Sequence, residues 1–310
     1  MKITGIGETV LDMVFKDRQV QAAVPGGSAF NSIISLGRCL GGRNPGTGVV
    51  MITQTGSDPV SEIMLSFMQE NGVSTRGVVR SEGQSTLSIA MLSSAGNAEY
   101  EFYHDPAPSP FLAPEIDFSK GDLVLFGSFF AINPKTRDEV RRLVRKARSQ
   151  GATVYYDINF RKSHDGPGVR EQIEENMALS DIVRGSNEDI EALYGSPDPE
   201  KAYTEHISKL CNYYICTKGA LETEIFGPGA LRVAIPVPGG TKVVSTIGAG
   251  DNFNAGVLYH IARVRQEKGG NSLPSTAKEW ADIASTAHKF SANVVASMFN
   301  YVDPAFNPGI

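Results

Sequence analysis

No stretch of the 310 residues approaches the ~20 consecutive apolar side chains that a membrane helix needs. The opening Met1-Lys2-Ile3-Thr4-Gly5-Ile6-Gly7 also lacks the apolar core of a signal peptide, so neither insertion nor secretion is expected and the cytoplasm is the default location. Cysteine is scarce: Cys39, Cys211 and Cys216 have no metal-type spacing and read as buried, reduced thiols. The five histidines form no His-Glu-x-x-His pattern and no cluster, which weighs against a zinc site. An excess of positive charge is missing too; the net charge of −5 excludes a strongly basic nucleic-acid surface but leaves room for a local phosphate pocket. Two nucleotide signatures are absent. There is no Gly-x-x-x-x-Gly-Lys-Ser/Thr loop, and Gly5-Ile6-Gly7-Glu8-Thr9-Val10 carries valine where a dinucleotide fingerprint needs its third glycine.

What is present is an ordinary globular composition, 41% hydrophobic and 20% charged, with no internal repeat or low-complexity linker. The length suits either two domains or one large α/β domain. Short β-rich runs at 2–6, 48–54, 122–126, 153–158, 181–184 and 213–217 alternate with helical patterns at 29–40, 59–71, 134–150 and 276–298, the last carrying Trp280. Strands separated by helices of this length imply right-handed βαβ crossovers, a mostly parallel sheet and helices on both faces. Ligands then belong at the C-terminal strand ends. Segments 10–24 and 85–104 break that rhythm. The second, with β-rich runs flanking Ser94-Ala95-Gly96-Asn97, predicts a hairpin, and a hairpin outside a parallel sheet is expected to act as a lid over a ligand site.

The stretch richest in chemistry is Ser245-Thr246-Ile247-Gly248-Ala249-Gly250-Asp251. Phe253, Val257, Leu258 and Ile261 recur at i, i+4, i+5 and i+8, so Gly248, Ala249 and Gly250 are expected just before the N-terminus of an amphipathic helix. Unpaired N–H groups and the positive dipole end converge there, and glycines let a phosphate approach the backbone. Asp251 then stands beside an anion cradle, placed to deprotonate an acceptor hydroxyl. The plainer alternative is that the glycines turn the chain and Asp251 caps the helix.

Two further constellations carry candidate ligand groups. Gly26 and Gly27 precede a helical run in which Asn31 offers an amide donor and acceptor, and Asp12 sits past the first strand where vicinal hydroxyls would find an acceptor. Asp157-Ile158-Asn159-Phe160-Arg161 lies at a strand end, with Arg161 suited to an anionic or polyhydroxyl substrate.

In family order, Gly5-x-Gly7-Glu8 with Asp12, Gly26-Gly27-x-x-x-Asn31, Asp157-x-Asn159-x-Arg161, Asn187-Glu188, Thr217-x-Gly219 and Gly248-Ala249-Gly250-Asp251 resemble the ribokinase-like, PfkB-type carbohydrate kinases. The likeness runs from about residue 1 to residue 300, and Glu101-Phe102-Tyr103-His104-Asp105-Pro106 brings it nearest the fructokinase and 2-keto-3-deoxygluconate kinase branch. It implies one ribokinase-like domain over 1–310, a three-layer α/β/α sandwich with a small β-sheet lid. It implies transfer of the γ-phosphoryl group of ATP to a sugar hydroxyl, with Mg²⁺ neutralising the phosphates. Asp251 matches the catalytic base and Gly248, Ala249 and Gly250 the anion hole. Asp12, Gly27, Asn31, Tyr103 and Arg161 match the sugar side. Asn187, Thr217 and Gly219 match the nucleotide side, and Asn187 with Glu188 the water shell of magnesium.

The sequence departs from the family at four places. Ser245 stands where the signature opens with aspartate, exchanging a carboxylate for a hydroxyl and weighing against a K⁺ site. Asn187 is followed at +3 by Ile190 instead of glutamate, and Glu222 stands where many members have glycine. His104 replaces a frequent arginine, which favours a neutral ketose over a sugar acid at neutral pH. Two rivals stay open: a nucleoside (adenosine-type) kinase of the same superfamily, and a non-catalytic sugar-binding regulatory descendant. Pairing of two copies through the lid is expected, because the hairpin would otherwise expose strand edges.

Overall fold

The computed structural model describes residues 1–41, 46–92, 98–105, 109–160 and 164–309. Its large sheet has 9 strands. β1 (Lys2–Ile6), β4 (Gly48–Gly56) and β5 (Val73–Ser81) form one half, and β8 (Leu123–Gly127), β9 (Thr153–Asp157), β10 (Ile182–Ser186) and β11 (Tyr213–Thr217) the other. β12 (Glu222–Gly227) and β13 (Leu231–Pro236) add an antiparallel margin, giving the order β13-β12-β11-β10-β9-β8-β1-β4-β5. The pairs from β11 through to β5 are parallel.

Both faces of the sheet are buried, which is why its central strands read as apolar runs. Ile3, Leu123, Leu125, Tyr155, Ile182 and Ile215 pack in one core with α1 (Ser28–Leu40), α7 (Ala249–Lys268) and α8 (Ala277–Val295), around the fully buried Trp280. Ile6, Val124, Phe126, Val154, Tyr156 and Val183 face the opposite core with α3 (Arg137–Ser149), α4 (Val169–Ala178), α5 (Asn187–Tyr194) and α6 (Pro199–Glu205). The remaining helix, α2 (Pro59–Glu70), starts from an Asp58 cap whose carboxylate accepts from the Ser61 N–H at 2.8 Å, with Pro59 in the first turn.

The segments that interrupt the βαβ rhythm form a second, 4-stranded sheet, ordered β3 (Gln19–Gly26), β2 (Val10–Lys16), β6 (Leu87–Leu92), β7 (Ala98–Tyr103). β6 and β7 pair antiparallel, as the hairpin pattern predicts; the turn Ser94-Ala95-Gly96-Asn97 lies outside the described residues. The register puts Asp12, Ser88 and Phe102 side by side on one face and Leu11, Leu87 and Tyr103 on the other.

Most sequence-expected elements match to within a few residues. The helix after the glycine turn begins two residues early, with Gly248 as its N-cap and Ala249 and Gly250 already in the first turn. Asn187, matched to the nucleotide and magnesium side, is the first residue of α5.

Candidate active site

The strand order reverses between β1 and β8, and an open parallel sheet binds ligands at the C-terminal ends beside such a reversal. A cavity of about 630 Å³ lies there. Glu8 beyond β1, Ser128 beyond β8, Asn159 and Phe160 beyond β9 and Ser186 at the end of β10 form its floor, and Val10, Asp12 and Phe102 of the smaller sheet form its roof. Thr246, Ile247, Gly248, Gly250 and Asp251 close one side.

Gly248 adopts the left-handed conformation, φ 76° and ψ 0°, and a methyl group there would come within 2.8 Å of the Asn300 carbonyl. Glycine is therefore required by both dihedral and space. Asn252 secures the turn by donating from Nδ2 to the carbonyls of Gly248 and Asn300, 2.7 Å each. By position, the N–H groups of Ala249, Gly250 and Asp251 are among those a helix leaves without an intrahelical acceptor. Ala249 donates to the Thr246 carbonyl at 3.3 Å and does not line the cavity, so Gly250 and Asp251 carry the exposed end of the cradle.

The Asp251 carboxylate is held from across the molecule. Ser28 Oγ donates to one oxygen and Asn31 Nδ2 to the other, 2.8 Å each, while Ser32 Oγ donates to the Asp251 carbonyl at 2.7 Å. Burial lifts the pKa of the carboxyl to about 6; the Asn31 and Ser28 hydrogen bonds and Arg184 pull down, and the Asp157 charge pushes up. A carboxylate with that proton affinity is charged at neutral pH yet basic enough to take a proton in a transition state.

Beneath it lies a buried polar network. Arg184 Nη1 pairs with Asp157 at 3.0 Å and Nη2 donates to Thr217 Oγ1 at 2.6 Å. Asn254 Nδ2 donates to the other Asp157 oxygen, 2.8 Å, and Tyr155 donates to Asn254. Burial raises the Asp157 pKa against the opposing pull of Arg184. Asn159 takes a left-handed φ of 38°, tolerable for asparagine, and directs Nδ2 to Ser28 Oγ at 2.9 Å. Ser28 thus couples the end of β9 to Asp251.

On the acceptor side, Asp12, Gly27 and Asn31 line the cavity as expected. Gly27 has φ 125°, and a side chain there would meet the Glu8 carbonyl at 2.3 Å. Asn31 is 4% exposed and its Oδ1 has no partner. Asp12 accepts from Ser88 Oγ and from Asn300 Nδ2. Tyr103 is 54% exposed and lies off the cavity; with a strand period of two, its neighbour Phe102 faces inward instead. Arg161 lies outside the described residues.

On the other side, Glu188 lines the cavity but Asn187 does not. Ser186 and Asp189 do, as the capping box that starts α5: Ser186 Oγ accepts from the Asp189 N–H, and the Asp189 carboxylate accepts from the Ser186 N–H at 2.6 Å. Asp189 accepts also from the Phe160 N–H, 2.8 Å. Thr217 is the β11 end that Arg184 grips, and Gly219 sits exposed with φ 56°; neither lines the cavity. Ser245 is buried and accepts from the Ile247 N–H at 3.2 Å. Sequence reading missed Ser28, Phe102, Arg184, Asn254 and Asn300. Only Arg184 carried a local signal, as a cation at the end of an apolar parallel strand.

Against this geometry, a model of the pfkB family carbohydrate kinases matches residues 4–298. Fructokinase of Vibrio alginolyticus is 23% identical over 282 residues, 89% of either chain. Aminoimidazole riboside kinase from Salmonella enterica, solved with aminoimidazole riboside and an ATP analogue, has a TM-score of 0.83 at 22% identity, covering 99% of this chain and 97% of that one. Fructokinase from Vibrio cholerae O395, in a form with fructose, ADP and calcium ion bound, has a TM-score of 0.82 at 19% identity, covering 96% and 94%. Since the family model spans all but the ends of it, the chain belongs to the pfkB family of carbohydrate kinases.

Proposed function

We propose that the protein transfers the γ-phosphoryl group of ATP to a hydroxyl of a neutral sugar of the fructose class, with Asp251 as general base. The observation that carries this reading is the Asp251 carboxylate, held between Ser28 and Asn31 at the open N-terminus of α7 inside the cavity. Ser28 Oγ donates to one Asp251 oxygen, whose remaining lone pair can accept from an acceptor hydroxyl. The bound hydroxyl donates its proton to Asp251 and attacks phosphorus, and the bond to the ADP oxygen breaks. The Gly250 and Asp251 N–H groups face the negative charge of the transferring group. Asn31 Oδ1, buried and unpartnered, is set to accept from a second sugar hydroxyl.

A neutral acceptor is the reading that histidine in place of arginine supports at position 104, a residue just outside the cavity lining. His104 stacks on Phe102 with ring centroids 5.8 Å apart, and loss of hydration together with the Lys135 charge lowers its pKa, leaving it uncharged at pH 7. Phe102 and Phe160 on the cavity wall give the riboside reading its own support, as flat apolar surface for a ring base.

Among the described residues no group of three acidic, histidine or cysteine side chains converges to hold a metal, and Asp189 is committed to its cap. Glu188 lines the cavity and is the carboxylate that would hold the water shell of Mg²⁺ brought in by the triphosphate; such a cation would supply charge neutralisation to the phosphate oxygens. Ser245 offers no carboxylate to a monovalent ion.

That Val10, Asp12 and Phe102 of the smaller sheet line the cavity supports reading this sheet as a lid. Its far face presents Met13, Phe15, Leu87, Ile89, Met91 and Tyr103, the last two 43% and 54% exposed, and a second copy of the chain is the partner whose identical apolar face would cover it.

The test is ADP release from ATP and Mg²⁺ across fructose, 2-keto-3-deoxygluconate, ribose, tagatose and adenosine, with Asp251→Asn alongside. A fructose-dependent signal lost in the variant is the expected result. Adenosine-dependent turnover moves the assignment to a nucleoside kinase, and sugar binding without turnover moves it to the regulatory descendant.

A further inference from the structure

The cavity has a charge problem for a site that receives a triphosphate. Among its described lining residues, Glu8, Asp12, Glu188, Asp189 and Asp251 are carboxylates, and Arg184 is the only cation. That cation is 7% exposed and lies directly behind the anion cradle. A methyl group built on Gly250 would come within 2.9 Å of Arg184 Nη2 and 3.0 Å of Nη1. Asp157 and Thr217 grip its two ends, and Nε is buried without a partner. Burial disfavours its charge, but Asp157 and Asp189 outweigh that and hold the guanidinium protonated. A planar cation tied at two corners does not swing to solvent, so its field at the turn is fixed and poorly screened.

We propose that Arg184 is a positioning residue for phosphoryl transfer: its fixed charge, acting across Gly250, draws the nucleotide phosphates into the 248–250 turn and favours the anionic form of Asp251. The proposal rests on the kinase reading and adds to it which group offsets the acidic lining.

Charged groups face Asp251 from each side. Asp157 stands on β9 and Arg184 on β10, while Glu8, Asp12, Glu188 and Asp189 ring the cavity. From α1 come the neutral Ser28, Asn31 and Ser32. Asp157 and Arg184 therefore push the Asp251 proton affinity in opposite directions, and so does their loss.

The test combines equilibrium binding of a non-hydrolysable ATP analogue, measured without sugar, with the pH profile of kcat/KM for sugar. Arg184→Met is expected to weaken nucleotide binding about tenfold, the scale of one lost charge-assisted contact, and to move the acid limb to higher pH; Arg184→Lys restores most of both. Asp157→Asn moves the acid limb the other way and leaves nucleotide affinity intact. Asp157→Asn/Arg184→Met, which strands no buried charge, folds and still binds nucleotide weakly. The proposal is overturned if the double variant binds nucleotide like wild type, or if both single variants shift the acid limb in one direction, as a merely structural pair would. Wild-type protein that binds no nucleotide overturns the kinase reading itself, and this proposal with it.

Discussion

At the scale of single residues, the chemistry turns on how Asp251 is surrounded. Its carboxyl is lifted to about 6 chiefly by burial, so the folded protein holds a proton there that the unfolded chain releases near pH 4. Two consequences follow from the sign. As a base, Asp251 must be unprotonated, so kcat/KM is expected to fall as pH drops through about 6, with an acid limb well above that of an ordinary aspartate. For stability, a raised carboxyl pKa favours the fold below the unfolded value and loses that contribution as pH rises through the folded value. Asp251→Asn is therefore expected to melt no lower than wild type at pH 7.5 while its turnover drops ~10²- to 10⁴-fold. Calorimetric melts beside initial rates check both halves, and a lowered melting point would contradict the burial argument. Asp251 and its glycines were legible from the chain because a Gly-Ala-Gly turn before an amphipathic helix is a local pattern. Its partner Ser28 was not, since a serine after two glycines also reads as an ordinary helix start.

At the scale of elements, the long helices and buried strands announced themselves, while the short ones did not. α5 has 8 residues and α6 has 7, too few for a 3.6-residue period to repeat convincingly. The signal for α5 was its cap. Ser186 three residues before Asp189 is the capping-box spacing, and it displaces the expected Asn187 from the cavity wall by making Asn187 the first helical residue. Because Ser186 closes β10 and starts α5 at one point, Ser186→Ala is expected to cost about 1 kcal/mol of stability, read as a lower melting temperature. It should spare Asp251, so the acid limb near pH 6 stays where it is. The smaller sheet shows the limits of local pattern in another way. Its hairpin was visible, but which residue of Phe102-Tyr103 faces the ligand depends on the pairing of β7 with β6 and of β6 with β2, a register that turn residues alone do not specify.

At the scale of the whole molecule, two consequences are open to measurement. No helix among the described residues is long and apolar enough to cross a membrane, and the proposed partner of the smaller sheet's apolar face is a second copy of the chain. Light scattering is expected to give the mass of two chains, and Ile89→Glu, on that face and away from the cavity, to give the mass of one. A monomeric wild type would remove the dimer reading without touching the chemistry.

The order of β-rich runs, helices and glycine turns determined the α/β class, the parallel sheet, the strand-end location of the cavity and the place of Asp251 at the head of α7. Each follows from interactions between near neighbours in the chain: side-chain periodicity, backbone freedom at glycine and helix-end polarity. The tertiary structure alone decided what surrounds Asp251. Ser28 and Asn31 reach Asp251 from more than 200 positions away, Asn254 and Arg184 meet on Asp157 from different elements, and Asn300 closes the turn from the C-terminal tail. Such contacts are set by which strands become neighbours and which faces are buried, and burial is what makes a carboxylate into a base and an arginine into a fixed charge.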